Sequence, residues 1–365
     1  MRYSGDRIRS VNFSAFTVPT DAPEADGTFA WNSTTLVLVE ISAANEAGVG
    51  YTYGNGAVAS FGHHLAQTCV LNQSPFDIPM LHASMLRAVR NDGSRGIAAM
   101  AISALDIALW DLKARLLETS VTQLLGRAQA SIPVYGSGGF TSYTNAQLTK
   151  QFSGWAAQGI GMMKMKVGSD SSTDPARVKA ARKAIGSSNQ LFVDANGAYT
   201  GKQALALADI FAEQSVTWFE EPVSSDHLET LHLIRERAPA GMAIAAGEYG
   251  YDSFYFRRML QAGAVDVLQL DATRCCGFTG FLEGAAIAAS FGTPLSAHCA
   301  PTLHMHVGCA VPTLKHIEYF HDHVRIEQML FDGFIAQKNG SLTPDSSRSG
   351  LGLTLKRKDA ERYAA

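Results

Sequence analysis

MKMK (residues 163–166) is the first of six short apolar runs that each end in a side chain able to do chemistry. It is followed by FVD (192–194), WFE (218–220), AAGE (245–248), LQLD (268–271) and LSAH (295–298). The steps between the last residues of these runs are 28, 26, 28, 23 and 27 positions. One strand, one helix and two loops need about this length. A chain that repeats the unit eight times closes into a barrel, and the carboxyl ends of its strands meet at one mouth.

Length and composition describe an ordinary globular protein. The chain has 365 residues, of which 46% are hydrophobic and 17% are charged, and this suits one large domain plus a smaller one. The net charge of −3 argues against a non-specific nucleic-acid binder, which would carry a basic surface. Apolar runs stay well below the ~18 residues of a membrane-spanning helix, so we expect no membrane partner.

The cysteines and the N-terminus favour a cytoplasmic protein. The five cysteines are few, odd in number and not spaced as paired metal ligands, so we predict reduced thiols. The segment Met1–Asp6 lacks the apolar core of a signal peptide.

The first third of the chain predicts an α+β domain. Residues 7–18 and 34–40 have the composition of strands, and residues 48–53 follow a polar turn, which predicts a hairpin. Apolar residues at three- and four-residue spacing predict a helix over 97–117. We interpret the polar stretch 19–31 as a loop that covers the barrel mouth.

Strands and helices alternate from residue 131 onward, which predicts a parallel sheet, and eight strands predict its closure. We predict a modified TIM barrel, (β/α)7β, over residues 129–330. An N-terminal α+β capping domain over residues 1–128 is expected to be completed by residues 331–365. The predicted strands are 131–135, 162–166, 191–194, 217–220, 243–247, 265–270, 294–297 and 316–319. The predicted helices are 145–158, 175–185, 201–214, 226–238, 253–262 and 278–291.

Asp194, Glu220 and Glu248 are predicted to end three successive strands. Neighbouring strands lie about 4.8 Å apart, so the three carboxylates would repel one another unless a cation lay between them. All-oxygen ligation favours Mg²⁺, with Mn²⁺ as a substitute, over Zn²⁺.

Lys164 and Lys166 are two positions apart on one strand and therefore face the same side. Two ammonium groups beside a metal ion are expected to lower the pKa of one or both, which would make a neutral amine available as a base. The apolar neighbours on the strand argue against a pair of surface lysines.

His298 and Asp271 end neighbouring strands, which predicts an acid/base dyad in which the carboxylate fixes the imidazole tautomer. We expect Lys166 and His298 to approach a substrate from opposite faces. Glu318, on the last strand, is either a protonated hydrogen-bond donor to a substrate oxygen or a structural acid. Arg274 lies in a predicted loop from which it could reach the mouth, although most loop arginines are solvated.

A metal, an amine base and an imidazole suit the removal of a proton next to a carboxylate. Lys164 and the metal would stabilise the charge that develops on the carboxylate oxygens, and Lys166 would take the proton. Return of a proton to carbon by His298 gives racemisation or epimerisation. Protonation of a β-hydroxyl by His298 gives dehydration.

Six motifs together resemble the enolase superfamily, and within it the mandelate racemase subgroup. They are Lys164-x-Lys166, Asp194-x-Asn196, Glu220-Glu221-Pro222, Gly247-Glu248, Asp271 followed by Gly277-x-x-Gly280, and His298. The sixth strand lacks the lysine that marks the muconate-lactonising subgroup.

The resemblance implies a capping domain, a (β/α)7β barrel and a set of residue roles. By this likeness the metal ligands would be Asp194, Glu220 and Glu248. The two bases would be Lys166 and His298, the latter paired with Asp271. Lys164 and Glu318 would contact the substrate, and to these we add Asn196 and Trp31. Most members of the subgroup dehydrate acid sugars to 2-keto-3-deoxy acids and a few are racemases or epimerases. Homo-oligomers, octamers or dimers, are expected by the same likeness.

The stretch Thr20–Gly27 is polar and acidic, which favours a polyhydroxylated substrate over an aromatic one. Its acids Asp21, Glu24 and Asp26 would repel a second carboxylate, which favours an aldonate over an aldarate. Phe29 and Trp31 leave open a stacking contact with either a sugar or an aryl ring. A binding protein that kept the fold but lost the chemistry would show a broken site, and none of the barrel-end positions is substituted.

Overall fold

The computed structural model describes residues 6–365. The prediction that no signal peptide is present concerns Met1–Asp6, of which only Asp6 lies within the described residues. Within that range, no helix combines the length and the apolar character needed to cross a membrane.

The N-terminal part of the described chain is an antiparallel sheet covered by helices. Its strands are β1 (Ile8–Ala25), β2 (Ala30–Ala43) and β3 (Glu46–Tyr53), with β2 in the middle. The helices that follow are α1 (Ala57–Cys69), α2 (Ile78–Ala88), α3 (Ile97–Leu116) and α4 (Val121–Leu125). The predicted hairpin and the predicted helix over 97–117 are confirmed.

In the described chain, eight parallel strands close into a barrel because the last strand pairs with the first. The strands are β4 (Ile132–Gly138), β5 (Met162–Lys166), β6 (Gln190–Asp194), β7 (Val216–Glu220), β8 (Ala243–Ala246), β9 (Val267–Leu270), β10 (Leu295–Ala297) and β11 (Leu314–Phe320). The helices between them are α5 (Asn145–Ala157), α6 (Asp174–Ile185), α7 (Gly201–Ala212), α8 (Leu228–Arg237), α9 (Ser253–Gln261), α10 (Gly277–Ser290) and α11 (Pro301–Gly308). The predicted TIM barrel is confirmed.

Capping boxes fix where three of the helices begin. Ser120, Thr144 and Thr200 each accept a hydrogen bond from the backbone N–H three residues on, and the glutamine at that position bonds back to the cap residue. This exchange satisfies amide groups that the first helical turn leaves unpaired. The sequence therefore specifies the starts of α4, α5 and α7 locally.

The apolar core has two large parts and a smaller layer inside the barrel. One large part lies between the barrel strands and their helices, and the other between the N-terminal sheet and its helices. Inside the barrel, Tyr135, Phe192 and Trp218 pack with smaller residues to fill its interior. This aromatic layer forms a dry floor beneath the mouth, where polar groups come together.

The C-terminal segment contacts both the barrel and the N-terminal sheet. After α12 (His321–Leu330), the short strand β13 (Ser341–Leu342) pairs with β4, and β12 (Phe331–Asp332) pairs with β14 (Thr354–Leu355). The backbone N–H of Ala365 then donates to the carbonyl of Ala15 at 3.0 Å. Helix α13 (Arg357–Ala360) completes the segment. The return to the N-terminal sheet agrees with the expectation, and the boundaries at 128/129 and 330/331 remain predictions.

The predicted loop over residues 19–31 is wrong. Strand β1 continues to Ala25 and β2 begins at Ala30, so most of the stretch is a β-hairpin with an irregularity between Pro19 and Glu24. The side chain of Asp26 makes the turn, because its Oδ1 accepts from the N–H groups of Thr28 (2.6 Å) and Phe29 (2.7 Å). An aspartate that bonds to the backbone two residues on is a recognisable turn former.

The tip of this hairpin rests on the barrel mouth. The N–H of Thr141 donates to the carbonyl of Ala25 at 2.8 Å, and its hydroxyl donates to the carbonyl of Asp26 at 2.7 Å. A Cβ at Gly27 would lie 2.6 Å from the carbonyl oxygen of Val167 and 2.4 Å from that of Ala195. Glycine at this position therefore permits the close approach between the tip and the strand ends.

The substitution Gly27→Ala is expected to loosen the hairpin tip without unfolding the barrel. The added methyl group overlaps two backbone oxygens, and such overpacking costs about 1–3 kcal/mol. Hydrogen exchange measured by mass spectrometry should therefore speed up about tenfold or more across residues 20–32. Gly56→Ala is the control, because a Cβ there meets nothing within 4 Å. Unchanged exchange in the Gly27 variant would contradict the tight seat.

Candidate active site

A cavity of about 690 Å³ lies between the hairpin and the carboxyl ends of the barrel strands. The hairpin contributes Asp26, Phe29 and Trp31 to its wall, and the barrel contributes the chemically active residues described below. The sequence-predicted mouth and the observed cavity coincide.

Asp194, Glu220 and Glu248 come together at the strand ends, and Glu248 also lines this cavity. Parallel register places Lys166 opposite Asp194 and Asp194 opposite Glu220, so consecutive strand ends bring the side chains together. One oxygen from each of the three carboxylates lies within 4.8 Å of the others, and all three residues are buried. Gly247, at φ +136°, turns the chain after β8 and directs Glu248 to the mouth; a Cβ there would lie 2.3 Å from Gln269 O.

The two lysines lie against these carboxylates. Lys164 Nζ is 2.6 Å from Glu220 Oε1 and 2.8 Å from Glu318 Oε1, and Lys166 Nζ is 2.5 Å from Asp194 Oδ2. Burial lowers the pKa of both lysines, but the facing carboxylates outweigh it, so each pKa is raised above its usual range. The expectation of a lowered pKa applies to lysines beside a bound cation and remains a prediction, because the shifts described here come from the facing carboxylates.

The pKa values of Asp194 and Glu220 shift in opposite directions. Burial raises the pKa of Asp194, but the positive charges of Lys166 and Lys164 outweigh this effect and lower the pKa to about 2. Burial, followed by the charge of Asp194, raises the pKa of Glu220 to about 8. The raised pKa of Glu220 shows that more negative charge is buried here than the two ammonium groups compensate.

His298 and Asp271 form the predicted pair. Asp271 Oδ2 lies 2.8 Å from His298 Nδ1, and Asp271 Oδ1 accepts from the N–H and the hydroxyl of Thr273, each at 2.7 Å. Burial raises the pKa of Asp271, but the hydrogen bond from His298 and its charge hold that pKa well below the usual range. Since an ionised carboxylate can only accept, Nδ1 carries the hydrogen and Nε2 is directed away from the pair.

The surroundings of His298 favour its charged form. Burial lowers the pKa of the imidazole, but Glu248 and Glu318 outweigh it and the pKa is raised. Its Nε2 lies 3.3 Å from Glu248 Oε2, so the dyad adjoins the three-carboxylate cluster. Lys166 and His298 both line the cavity from separate strands, and their approach to opposite faces of a substrate remains a prediction.

Glu318 is held as an ionised acceptor. Its Oε1 accepts from Ser137 Oγ at 2.6 Å and faces Lys164, and its Oε2 accepts from the N–H of Cys299 at 3.1 Å. Burial raises its pKa, but Lys164 and His298 outweigh it and hold the pKa well below the usual range. This arrangement favours an ionised acceptor, and the alternative of a protonated donor to a substrate oxygen remains a prediction. Ser137 was missed because nothing in a lone serine on a strand indicates a role.

Asn196 and Trp31 both reach the cavity, as predicted. The N–H of Asn196 donates to Asp194 Oδ1 at 3.0 Å, and its own Oδ1 has no hydrogen-bond partner among the described residues. Trp31 packs edge-on against Phe140 at 5.6 Å between ring centroids, and its indole N–H donates to Glu24 at 2.8 Å. The expectation of substrate contact by these two residues remains a prediction.

The picture of an acidic lid is wrong. Of the three acids in the hairpin, only Asp26 lines the cavity within the described residues. Glu24 is buried beneath Trp31, where burial and Asp322 raise its pKa to about 8. Asp21 pairs instead with His321 Nε2 at 2.9 Å. The argument from repulsion against a substrate with two carboxylates therefore loses its basis.

Arg274 reaches the barrel mouth, which is the alternative that its position in a loop favoured less. Its side chain is 22% exposed and lies 3.5 Å from Glu248 Oε1 and 3.7 Å from Asp271 Oδ2, with its guanidinium over the ring of Tyr249 at 5.3 Å. It therefore joins the carboxylate cluster to the dyad. Its position three residues after Asp271 was the available signal, because a loop that leaves a strand end must first pass over the mouth.

Two family descriptions match the chain. "Mandelate racemase / muconate lactonizing enzyme, N-terminal domain" covers residues 14–126, and "Enolase C-terminal domain-like" covers residues 147–360. The chain belongs to the mandelate racemase/muconate lactonizing enzyme family of the enolase superfamily. The predicted resemblance, including the mandelate racemase subgroup, is confirmed, and the protein is an enolase-superfamily enzyme.

Similar solved structures share the whole fold. A mandelate racemase/muconate lactonizing enzyme-like protein from Rubrobacter xylanophilus is 51% identical with a TM-score of 0.97, covering 98% of this chain and 100% of that one. A racemase from Streptomyces coelicolor, solved with bound magnesium, is 30% identical with a TM-score of 0.92 and the same coverage of 98% and 100%.

Curated relatives differ in the reactions that their names state. L-talarate/galactarate dehydratase of Salmonella typhimurium is 30% identical, covering 96% of this chain and 90% of that protein. 3,6-anhydro-alpha-L-galactonate cycloisomerase of Streptomyces coelicolor is 31% identical, covering 96% of this chain and 98% of that protein. Relatives at about 30% identity thus include both dehydratases and isomerases.

Replacing Asp271 by asparagine is expected to change the tautomer of His298. The carboxylate imposes a hydrogen on Nδ1, whereas an amide can donate to Nδ1 and leave the hydrogen on Nε2. Multiple-bond ¹H–¹⁵N spectra of the imidazole rings report this directly, with His298→Gln to assign the signals. Asp21→Asn, which alters the exposed partner of His321, is the matched control. The same tautomer in wild type and the Asp271 variant would contradict the role of the carboxylate.

Proposed function

We propose that the protein is a Mg²⁺-dependent acid-sugar dehydratase. It removes the proton next to the carboxylate of an aldonate or aldarate and expels the β-hydroxyl as water, which gives a 2-keto-3-deoxy sugar acid. The observation that carries this proposal is the single cavity in which a buried three-carboxylate cluster adjoins Lys166 and the His298–Asp271 dyad.

The donor set fits a hard divalent cation. One oxygen each from Asp194, Glu220 and Glu248 lies within 4.8 Å of the others, and Glu248 Oε2 has no hydrogen-bond partner within residues 6–365. Oxygen-only ligands suit Mg²⁺, and Mn²⁺ accepts the same set. When bound, the cation supplies positive charge that stabilises the carboxylate oxygens of the substrate as the α-proton leaves. The magnesium in the structure of the related racemase supports this assignment.

Lys164 and Lys166 have different roles toward the substrate carboxylate and its neighbouring proton. Lys164 is fully buried between Glu220 and Glu318, so its ammonium is a fixed positive charge behind the part of the wall where the substrate carboxylate would bind. Lys166 lines the cavity and is 6% exposed, so its amine can reach the α-proton. Lys166 must first lose its own proton to act as a base, and a cation held by Asp194 would offset the negative charge that raises the pKa of this lysine.

His298 acts as the acid. With Nδ1–H donated to Asp271, Nε2 is free to carry a second hydrogen toward the cavity, and Glu248 and Glu318 support the resulting imidazolium. Transfer of that hydrogen to the β-hydroxyl turns a poor leaving group into water. His298 ends the step neutral, with Nδ1–H still bound to Asp271.

Racemisation or epimerisation of a 2-hydroxy acid is the second candidate. It is favoured by the presence of two bases in one cavity, since His298 could return its hydrogen to carbon instead of oxygen. The likeness to a racemase and to a cycloisomerase supports it as well.

The two candidates differ in what happens in D₂O. The Mg²⁺-loaded enzyme is incubated with a panel of aldonates, aldarates and aryl 2-hydroxy acids. We expect a 2-keto-3-deoxy product from at least one sugar acid, measured by semicarbazide derivatisation and NMR. Deuterium at C2 with inverted configuration and no keto product would instead establish the isomerase. Failure of the whole panel to react or exchange would contradict both candidates.

Substitutions should separate the two proton transfers. Lys166→Ala is expected to abolish exchange of the α-proton with D₂O, whereas His298→Asn should retain exchange and lose product formation. Each loss should be about 10²–10⁴-fold in kcat, the usual contribution of a positioned acid or base. Lys183→Ala, an exposed lysine on α6, is the control with unchanged activity. Loss of exchange in His298→Asn with exchange retained in Lys166→Ala would show that the two roles are reversed. Equal loss in both variants would contradict the division of roles.

A further inference from the structure

Cys299 lies directly beside the dyad and faces the same cavity. Its Sγ is 3.2 Å from His298 Nε2 and 3.4 Å from Glu318 Oε2, and these two atoms are 3.7 Å from each other. All three residues are buried and line the cavity wall. The reaction proposed above uses no thiol, so this group has no assigned task.

We propose that Cys299, His298 and Glu318 form a second metal site, selective for soft or borderline divalent cations such as Zn²⁺ and Cd²⁺. Binding displaces two hydrogens to solvent, that of His298 Nε2 and the thiol proton of Cys299, and the freed lone pairs hold the metal. An occupied site therefore removes the acid from the reaction while the three-carboxylate site keeps its own cation.

The triangle of donor atoms has the dimensions of a zinc site. Tetrahedral Zn²⁺ binds sulfur at about 2.3 Å and nitrogen or oxygen at about 2.0–2.2 Å, so its ligand atoms lie roughly 3.3–3.7 Å apart. The observed separations of 3.4 and 3.7 Å fall in this range, and that of 3.2 Å lies just below it. One sulfur, one nitrogen and one oxygen are also donor types that structural and catalytic zinc sites use.

The donor atoms are oriented by their other bonds. His298 Nδ1 is bound to Asp271, so Nε2 offers the lone pair, and a carboxylate behind the imidazole is the usual support of a zinc-binding histidine. Glu318 Oε1 is taken by Ser137 and Lys164, which leaves Oε2 facing Cys299.

Glu248, one of the three carboxylates of the proposed magnesium site, also borders this triangle of donor atoms. Glu248 is 3% exposed, and its Oε2 has no hydrogen-bond partner among the described residues although it lies 3.3 Å from His298 Nε2. A cation held by the other three atoms would meet this oxygen or a cavity water. Mg²⁺ avoids sulfur and prefers octahedral oxygen ligands, so the two sites select different metals.

The site is tested by adding Cd²⁺ to protein kept in excess Mg²⁺ and free of added thiols. A cadmium–thiolate bond produces an ultraviolet charge-transfer band that oxygen ligation does not. We expect the band to saturate at one equivalent of Cd²⁺ in wild type, to be absent in Cys299→Ser, and to be unchanged in Cys69→Ala, which removes a buried thiol of α1. No band in wild type, or a band that persists in Cys299→Ser, would overturn the proposal.

A second measurement needs no variant. Iodoacetamide labelling followed by peptide mass mapping reports the accessibility of each cysteine in the unaltered chain. One equivalent of Zn²⁺ over excess Mg²⁺ should markedly slow labelling of Cys299, because the thiolate that reacts with iodoacetamide is then held by the metal. Equal labelling with and without Zn²⁺ would overturn the site. Neither readout depends on turnover, so both stand apart from the dehydratase assay.

Discussion

The parallel register of β5, β6 and β7 is the constraint on which the site depends. It places Lys166, Asp194 and Glu220 side by side at the ends of adjacent strands, where strands are about 4.8 Å apart. A shift of one residue in any of these pairings would turn a charged side chain from the mouth to the helix layer. The apolar residues before each strand end, packed in the barrel core, hold the register and therefore hold the charges.

The cost of this arrangement is buried charge. Asp194, Glu220, Glu248, Asp271 and Glu318 are five carboxylates within one mouth, whereas the fixed cations are Lys164, Lys166 and Arg274. The aromatic floor of Tyr135, Phe192 and Trp218 keeps water away from beneath them and strengthens every interaction. A site left with excess negative charge is unfavourable for the folded protein alone, and the same excess is what attracts cations.

The sequence determines the barrel and the site in different ways. Strand ends could be located because each apolar run stops at a residue that can do chemistry, as at Phe192–Asp194 and Leu268–Asp271. The hairpin over residues 19–31 could not be predicted in this way. Its polar strands lack apolar alternation, and its turn depends on one side chain, that of Asp26. Arg274 and Cys299 are marked only by their place after a strand end, three residues after Asp271 and one after His298, and by no motif of their own.

The charges of the site belong to the barrel, whereas the hairpin supplies a separate part of the cavity wall. The hairpin tip lies on the carbonyls of Val167 and Ala195, which directly follow Lys166 and Asp194. It also supplies Phe29 and Trp31 to the wall of the cavity opposite the charges. A change in the tip therefore alters which substrate fits, and which of its atoms lies nearest His298 Nε2, without moving a base. If that atom is the β-oxygen the hydrogen leaves with water, and if it is the α-carbon the configuration inverts.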